Sequence, residues 1–207
     1  MPQKRIIQKK LKPTRRDLQK QNTRERIYKA AKSLFMTKGY FETRSGDIAK
    51  LAGVSHGSIF SHFKSKSDIL EHFHNEFLES QIQRIEGQSI QETDTRQRLV
   101  KLLDALWEAP RKNKKLSRVM FAQGWLWSEA REDEYQKLTG RLRHIGEEIL
   151  RQGQEKGEVM ADIEASDMMN TMQAQFKESL RMSFYGEKSH AEARRQLHRY
   201  LDMICRP

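Results

Sequence analysis

A short run of small polar side chains is the part of this sequence best equipped for recognition chemistry. Its hydrogen-bonding side chains are those of His56, Ser58, Ser61 and His62. Gly57, within the run, lets a backbone approach a partner closely. Such side chains suit a DNA major groove, about 12 Å wide, in which base edges offer donors and acceptors. The run therefore predicts a helix that reads base edges in DNA.

Catalytic and metal-binding patterns are absent from the sequence. His72 and His74 lie two positions apart, so on a helix they point to different faces and make a poor metal pair. Glu147 and Glu148 have no histidine at a useful spacing, and there is neither an HExxH motif nor a phosphate-cradling glycine loop. We therefore expect no catalytic residue, no metal site and no cofactor, and interpret the chain as a binding protein rather than an enzyme.

Positive charge is concentrated at the start of the chain. The formal net charge is +11, and residues 1–26 hold ten basic and two acidic side chains, a local net charge of +8. We interpret this segment as an arm that contacts a polyanion. DNA is favoured because the polar run follows in the chain; a membrane surface or a merely solubilising tail is the alternative.

The composition argues against a membrane-spanning or exported protein. The 207 residues are 36% hydrophobic and 32% charged, and no window approaches the ~18 consecutive apolar residues that a spanning helix needs. The basic N-terminus lacks the apolar centre of a signal peptide. A single cysteine, Cys205, fits a reducing compartment. We therefore expect a cytoplasmic protein of one or two small domains.

Helical signals run through most of the chain. Pro110 is the one proline between Thr14 and Arg206, strand-like alternation is absent, and good helix formers are abundant. This pattern predicts an all-α protein with about nine helices.

The polar run follows a short helix and a turn. Residues 47–51 form the predicted support helix, with Ile48, Leu51 and Ala52 facing inward, and Gly53 lies in the turn. A support helix, a tight turn and a second short helix make a helix-turn-helix, the arrangement that places a recognition helix in the major groove.

A longer pattern surrounds this motif. Its residues are Gly39-Tyr40, Thr43, Asp47-Ile48-Ala49, Ala52-Gly53-Val54-Ser55, Gly57-Ser58-Ile59-Phe60, His62-Phe63, Ser65-Lys66 and Leu70. With this pattern, residues 24–70 strongly resemble the tetracycline-repressor (TetR) family of transcription regulators. The resemblance has no gap and is more specific than an isolated helix-turn-helix. It implies an N-terminal three-helix DNA-binding domain followed by a larger helical domain for effector binding and dimerisation.

The resemblance also implies which residues touch DNA. Lys66 is expected to contact a phosphate where the fourth helix begins, and the hydroxyls of Thr43 and Ser45 are expected to contact the DNA backbone. The full DNA-binding set that it implies is Thr43, Arg44, Ser45, Ser55, His56, Gly57, Ser58, Ser61, His62 and Lys66.

Three positions depart from the family pattern. Phe60 replaces a common tyrosine whose hydroxyl holds a phosphate, and we expect its ring to lie in the core. Arg44 replaces a common serine or threonine and adds a charge for a phosphate or a base edge. His56 often has a lysine or arginine counterpart, and a histidine can change charge between pH 5 and 8.

We divide the chain into a basic arm (1–22), a helix-turn-helix domain (23–68) and a sensing and dimerisation domain (69–207). The resemblance implies a homodimer that binds a near-palindromic operator in double-stranded DNA. Helices at 165–184 and 189–204 are the predicted partner surface, with intrachain core as the alternative. Their apolar stripes are Met169, Met172, Phe176 and Leu180, and Leu197, Leu201 and Ile204.

Large apolar side chains of the last domain are candidates for an effector pocket, because aromatic and methionine side chains make adaptable walls. They are Trp107, Phe121, Trp125, Met172 and Phe176; core packing is the alternative for each. We predict a repressor whose operator binding is relieved by a small, mainly apolar effector. An activator and a ligand-independent DNA-binding dimer are the alternatives.

Overall fold

A computed structural model describes residues 14–87, 94–111, 113–123 and 129–205 of the chain. Within these ranges there are nine α-helices and no β-strand, apart from one isolated antiparallel bridge between Val159 and Cys205. The prediction of an all-α protein is confirmed. No helix in the described ranges is long and apolar enough to cross a lipid bilayer. The helices are α1 (Arg15–Thr37), α2 (Ser45–Ala52), α3 (His56–His62), α4 (Lys66–Gly87), α5 (Thr95–Arg111), α6 (Lys114–Gln123), α7 (Glu129–Glu155), α8 (Ala165–Tyr185) and α9 (His190–Ile204).

The chain divides into two compact units, Met1–Ile69 and Leu70–Pro207, which we call the N-terminal and the C-terminal unit. In the N-terminal unit, α1, α2 and α3 enclose a small apolar core. Its largest fully buried side chains, none more than 1% exposed, are Ile27, Phe35, Ile48, Ile59 and Phe63. These helices therefore hold one another by burial of aliphatic and aromatic surface.

Helix α1 begins at Arg15 because the preceding threonine caps it. The Asp17 backbone N–H donates to the Thr14 hydroxyl at 3.2 Å, and the Thr14 N–H donates to the Asp17 carboxylate at 3.0 Å. This reciprocal pair is a capping box, which satisfies N–H groups that a helix start leaves without intrahelical partners. Residues 15–22 of the segment that we interpreted as an arm are thus helical, and residues 1–13 lie outside the described ranges.

The turn between α2 and α3 requires a glycine. Gly53 has φ 63°, in the left-handed region that glycine adopts without a steric cost. Its carbonyl and that of Ala52 accept hydrogen bonds from the Arg26 guanidinium at 2.9 and 2.6 Å, so α1 fixes the end of α2. Leu51 is 56% exposed. The prediction that it faces inward is wrong, because Ile48 and Ala52 already occupy the buried side of this two-turn helix.

The apolar stripes of α8 and α9 are buried inside the C-terminal unit. Met172, Leu197 and Leu201 are at most 1% exposed and share one core with residues of α5 and α7. The stripes thus have the alternative role of intrachain core, and a partner surface on α8 and α9 stays a prediction. The two helices pack these stripes against the unit, whereas Tyr185 of α8 and Met203 of α9 are 58% and 74% exposed.

Candidate nucleic-acid interface and apolar cavity

Helix α3 is anchored on one side and capped at its start. The Ser58 backbone N–H donates to the Ser55 hydroxyl at 3.2 Å, an N-cap that fixes where the helix begins. Ile59 and Phe63 are each 1% exposed and hold the inner side of the helix in the core. With seven residues, α3 is too short to be stable alone, so this burial is what keeps it helical.

The outer face of α3 is small, polar and accessible. His56, Gly57 and Ser61 are exposed, and Ser58 is half-buried. Ser61 Oγ donates to the Ser58 carbonyl at 2.8 Å, which leaves its lone pairs for an outside N–H donor. The hydroxyls of Ser55 and Ser58 are 2.8 Å apart, so one of their two protons remains for an outside acceptor. This face can pair with donors and acceptors on base edges.

Phe60 lies on the same outer face, which corrects the expectation that it is core. Its side chain is 49% exposed, and its ring centroid is 5.2 Å from that of His56 in an edge-to-face arrangement. Successive helical residues are rotated by about 100°, so the residue after the inward-facing Ile59 must turn away from the core. The exposed Phe60 ring supports the His56 imidazole from one side.

His62 connects the end of α3 to α1. Its carbonyl accepts a hydrogen bond from the Arg24 guanidinium at 2.5 Å, and that guanidinium lies 4.0 Å from the centre of the Phe63 ring. Burial, followed by the charges of Lys20 and Arg24, holds the pKa of the His62 imidazole below its usual value. The imidazole is therefore neutral at pH 7, with one nitrogen as donor and one as acceptor.

Two residues expected on the DNA backbone have hydrogen-bond partners within the N-terminal unit. Lys66 Nζ donates to the carbonyls of Tyr40 at 2.8 Å and Thr43 at 3.0 Å, and lies 4.3 Å from the Tyr40 ring centre. Burial lowers the pKa of this amine. The Thr43 side chain is 1% exposed, and its hydroxyl donates to the Gly39 carbonyl at 2.6 Å. Both side chains hold the loop before α2, and a contact of either with a DNA phosphate stays a prediction.

The start of α2 keeps its expected place at the surface. Arg44 is exposed and Ser45 is half-buried. The Arg44 backbone N–H donates to the Asp47 carboxylate at 3.1 Å, and Lys38 Nζ lies 2.5 Å from the same carboxylate oxygen. The hydrogen bond from Lys38 lowers the pKa of Asp47, which stays ionised and fixes this loop. The Arg44 side chain is thereby presented to solvent.

A row of basic side chains on α1, which we call the α1 stripe, adds to this surface. It consists of Arg16, Lys20 and Arg24, four residues apart and so on one helical face. Arg16 and Lys20 are exposed, and Arg24 reaches the end of α3 as described above. The sequence showed that this segment is basic but not that these three side chains share one helical face. They do so because α1 begins at Arg15.

The C-terminal unit contains an apolar cavity of about 100 Å³ between α4, α5, α6, α7 and α8. Three of the effector-pocket candidates, Phe121, Met172 and Phe176, line it. Trp107 does not: it is fully buried, with its ring centroid 5.9 Å from Phe176 and 4.7 Å from His190. Trp125 lies outside the described ranges.

The polar residues of the cavity escaped the sequence reasoning. His74, Tyr135 and Thr139 all line it. His74 belongs to α4 and Tyr135 to α7, and their ring centroids are 6.0 Å apart. For His74, its helical spacing from the apolar residues of α4 could have predicted the burial, because this spacing is typical of an inward-facing position.

Burial sets the charge of these groups. It lowers the pKa of His74 to about 4, so this imidazole is neutral at pH 7. Burial, with a smaller contribution from Glu132, raises the pKa of the Tyr135 phenol, which stays protonated. The interior of the cavity therefore offers neutral hydrogen-bonding groups among apolar walls.

Residues 27–73 match the sequence model of the family described as bacterial regulatory proteins, tetR family. The chain is 44% identical over 66 residues to the HTH-type transcriptional regulator AcrR of Shigella flexneri. These 66 residues are 32% of this chain and 30% of AcrR. The chain thus spans less than a third of that relative. The chain is also 30% identical over 138 residues to the nucleoid occlusion factor SlmA of Vibrio atlanticus. These 138 residues are 64% of this chain and 69% of SlmA.

Solved structures extend the likeness to both units. FadR of Thermus thermophilus, a TetR-family repressor solved with lauroyl-CoA, matches with a TM-score of 0.68 at 25% identity over 89% of this chain and 96% of FadR. A transcriptional regulator of Saccharomonospora viridis, solved with choline, matches with a TM-score of 0.72 at 23% identity. The match covers 90% of this chain and 100% of that regulator, and it shows that the two chains share a fold.

Proposed function

Because the chain belongs to the TetR family of bacterial transcription regulators, we propose that it binds a near-palindromic operator in double-stranded DNA as a homodimer. We further propose that a small, mainly apolar effector in the C-terminal unit relieves this binding, so that the protein acts as a repressor.

The outer face of α3 carries the proposal. His56 and Ser61 are exposed, Gly57 between them leaves room for close approach, and Ile59 and Phe63 anchor the opposite side. A short helix held rigidly from behind and polar in front is what reading base edges in the major groove requires. We assign base contacts to His56, Ser61 and the neutral imidazole of His62.

Other residues are proposed to contact the DNA backbone. We propose that Arg44, Ser45 and the exposed members of the α1 stripe, Arg16 and Lys20, contact phosphates on either side of α3. Phosphate contacts position a protein on DNA and supply most of its salt-dependent affinity. We keep Lys66 and Thr43 as proposed backbone contacts, and their hydrogen bonds also fix the loop from which Arg44 projects.

Selection of bound sequences from a random DNA pool tests the DNA-binding proposal. We expect enriched sequences with two inverted half-sites, whose centres lie about 10 base pairs or a multiple of that apart. Enrichment without inverted symmetry would contradict the operator proposal. Sedimentation of the free protein tests the homodimer separately, and a monomer at micromolar concentration would contradict it.

The effector proposal is supported by the cavity and by the relatives. The cavity is lined by Phe121, Met172 and Phe176, and structurally similar regulators have been solved with small molecules. Helix α4 contributes both Lys66, which holds the loop before α2, and His74, which lines the cavity. We propose that a bound effector shifts the population of α4 positions and thereby changes operator affinity.

The direction of control has its own test. In a transcription assay with the selected operator upstream of a reporter, we expect the protein alone to lower transcript and an effector to restore it. Transcript that rises only with the liganded protein would instead show an activator.

A further inference from the structure

The charged side chains described around the cavity are all positive. Among the described residues that line it, the charged side chains are Arg143 of α7 and Lys177 of α8, and none is an aspartate or glutamate. Arg143 is half-buried and Lys177 is exposed, so both lie towards the opening rather than in the interior. A ligand in the cavity therefore meets positive charge where it meets solvent.

We propose that the effector is an amphipathic anion, with a slim apolar tail in the cavity and an acidic head group such as a carboxylate at Arg143 and Lys177. This inference rests on the proposed function insofar as the cavity is the effector site. It assigns to that site a class of ligand that the relatives do not decide, since they were solved with molecules as different as choline and lauroyl-CoA.

Neither cation is paired with an acidic side chain in the part of the chain that the structure describes. Arg143 Nη2 donates to the side-chain oxygen of Gln136 at 2.9 Å, an uncharged partner. Within the described ranges, neither Arg143 nor Lys177 forms an ion pair with a carboxylate. Other arginines of the same unit do: Arg141 contacts Glu79 and Glu86, and Arg181 contacts Glu178 and Glu187. The two cavity cations thus retain donors for an outside anion.

The interior disfavours a cationic ligand. A buried charge is costly unless it is paired, and the described residues of the lining include no carboxylate that would pair with an ammonium group. His74 is neutral at pH 7 because burial lowers its pKa to about 4, and Tyr135 stays a neutral phenol because burial raises its pKa. These groups therefore offer no negative charge to a cationic ligand.

The size of the cavity limits the tail. Its volume of about 100 Å³ is below the ~300–1,000 Å³ usual for ligand sites, so a bulky ring system does not fit without rearrangement. Met120, Met169 and Met172 line the space, and methionine side chains adapt their shape easily. An unbranched alkyl tail is the apolar shape that this lining admits with the smallest change.

Three probes with one tail and three head-group charges test the inference. Octanoate, 1-octanol and octyltrimethylammonium are titrated into the full-length protein in a calorimeter at pH 7. Because a charge-assisted hydrogen bond is stronger than a neutral one, we expect octanoate to bind about tenfold more tightly than octanol. We expect the ammonium compound to bind most weakly.

Matched variants assign the effect to the two cations. We expect Arg143→Gln and Lys177→Gln each to weaken octanoate binding about three- to tenfold and to leave octanol binding unchanged. Lys137→Gln removes a cation of α7 that does not line this cavity and should change neither. Circular dichroism confirms that each variant is folded.

The outcomes separate this inference from the proposed function. If octanol or the ammonium compound binds as tightly as octanoate, or if the two variants leave octanoate binding unchanged, the anionic head group is wrong while the cavity remains an effector site. If none of the three probes binds, the ligand class is wrong and the effector role loses its support. The DNA selection experiment tests operator binding independently of both.

Discussion

At the scale of single residues, Gly57 is a glycine that the chain itself does not require. It lies in α3 without a positive φ, and a Cβ added there would meet nothing within 4 Å. Glycine inside a helix costs about 0.5–1 kcal/mol relative to alanine. The benefit that offsets this cost must therefore come from outside the chain, and close approach to DNA is such a benefit.

Gly57→Ala should accordingly stabilise the N-terminal unit and weaken DNA binding. We expect unfolding free energy to rise by about 0.5–1 kcal/mol, because helix propensity improves without a clash. We expect operator affinity to fall at least several-fold, because the added methyl group faces the DNA. Urea unfolding and a fluorescence binding titration measure the two effects. Unchanged affinity would remove Gly57 from the proposed interface.

His74 makes stability depend on pH. Its pKa is about 4 in the folded chain because of burial, against 6.5 when exposed. Between these values the unfolded state binds a proton that the folded state does not, so stability is complete above pH 6.5 and falls as the pH drops towards 4. The contribution of this one residue between pH 7 and 5 is about 2 kcal/mol.

His74→Phe keeps a ring in the cavity wall and removes the titration. We expect the unfolding free energy of the variant to fall less than that of the wild type between pH 7 and 5, by about 2 kcal/mol. His144→Gln, at an exposed position of α7, is the matched control. A wild-type profile in His74→Phe would show that His74 is not buried in its neutral form.

At the scale of elements, the α1 stripe has a direct control on its own helix. Lys20 lies on the stripe, whereas Lys29, nine residues later, is rotated by about 180° and pairs with Glu25. We expect Lys20→Gln to lower the slope of log affinity against log salt by about 1, for specific and random DNA alike. Lys29→Gln should leave the slope unchanged. Equal effects of the two variants would show that net charge, and not the stripe, is responsible.

Two glycines of α7 differ in what surrounds them. A Cβ on Gly153 would lie 2.6 Å from Cγ2 of both Thr95 and Val159, whereas a Cβ on Gly140 would meet nothing within 4 Å. Threonine and valine are β-branched and have few alternative rotamers, so they cannot move aside easily. We expect Gly153→Ala to destabilise the protein by about 1–3 kcal/mol and Gly140→Ala to stabilise it by about 0.5–1 kcal/mol. Thermal unfolding of both variants checks the opposite signs.

Helix periodicity and helix-ending residues predicted most of the helices, but not the start of α1 at Arg15. The end of the predicted helix at 165–184 differs by one residue from that of α8, because Gly186 has the left-handed conformation that ends it. The burial of particular residues was less predictable. Leu51 and Phe60 look like core residues by type, yet they are exposed because α2 and α3 are short and their inner sides are already filled.

The candidate site was predictable in its residue types but not in its hydrogen bonds. Lys66 and Thr43 have the residue types of phosphate-binding positions, and only the three-dimensional arrangement shows that the carbonyls of Tyr40 and Thr43 accept hydrogen bonds from Lys66. These carbonyls come from a loop more than twenty residues before Lys66. No local pattern in the sequence reports such a contact.

At the scale of the whole molecule, charge is distributed unevenly along the chain. Ten of the 39 basic residues lie in residues 1–26, with two acids, and half of these ten lie in residues 1–13. Basic residues 15–26 belong to α1, whose capping box begins at Thr14. Residues 1–13 can thus be removed without removing a described helix or its cap, which separates the two parts of the predicted arm.

Deletion of residues 1–13 should weaken DNA binding through electrostatics alone. The deletion removes five basic and no acidic side chains, and the salt slope falls by about 0.9 for each phosphate that the protein no longer neutralises. Because the Thr14 cap is kept, we expect the thermal unfolding midpoint to be unchanged, and octanoate binding by the C-terminal unit to be unchanged too. Operator affinity measured between 50 and 200 mM salt is therefore expected to give a shallower slope, with the same preferred sequence. An unchanged slope would show that these residues do not contact DNA, whereas an altered sequence preference would show that they read bases in addition to phosphates.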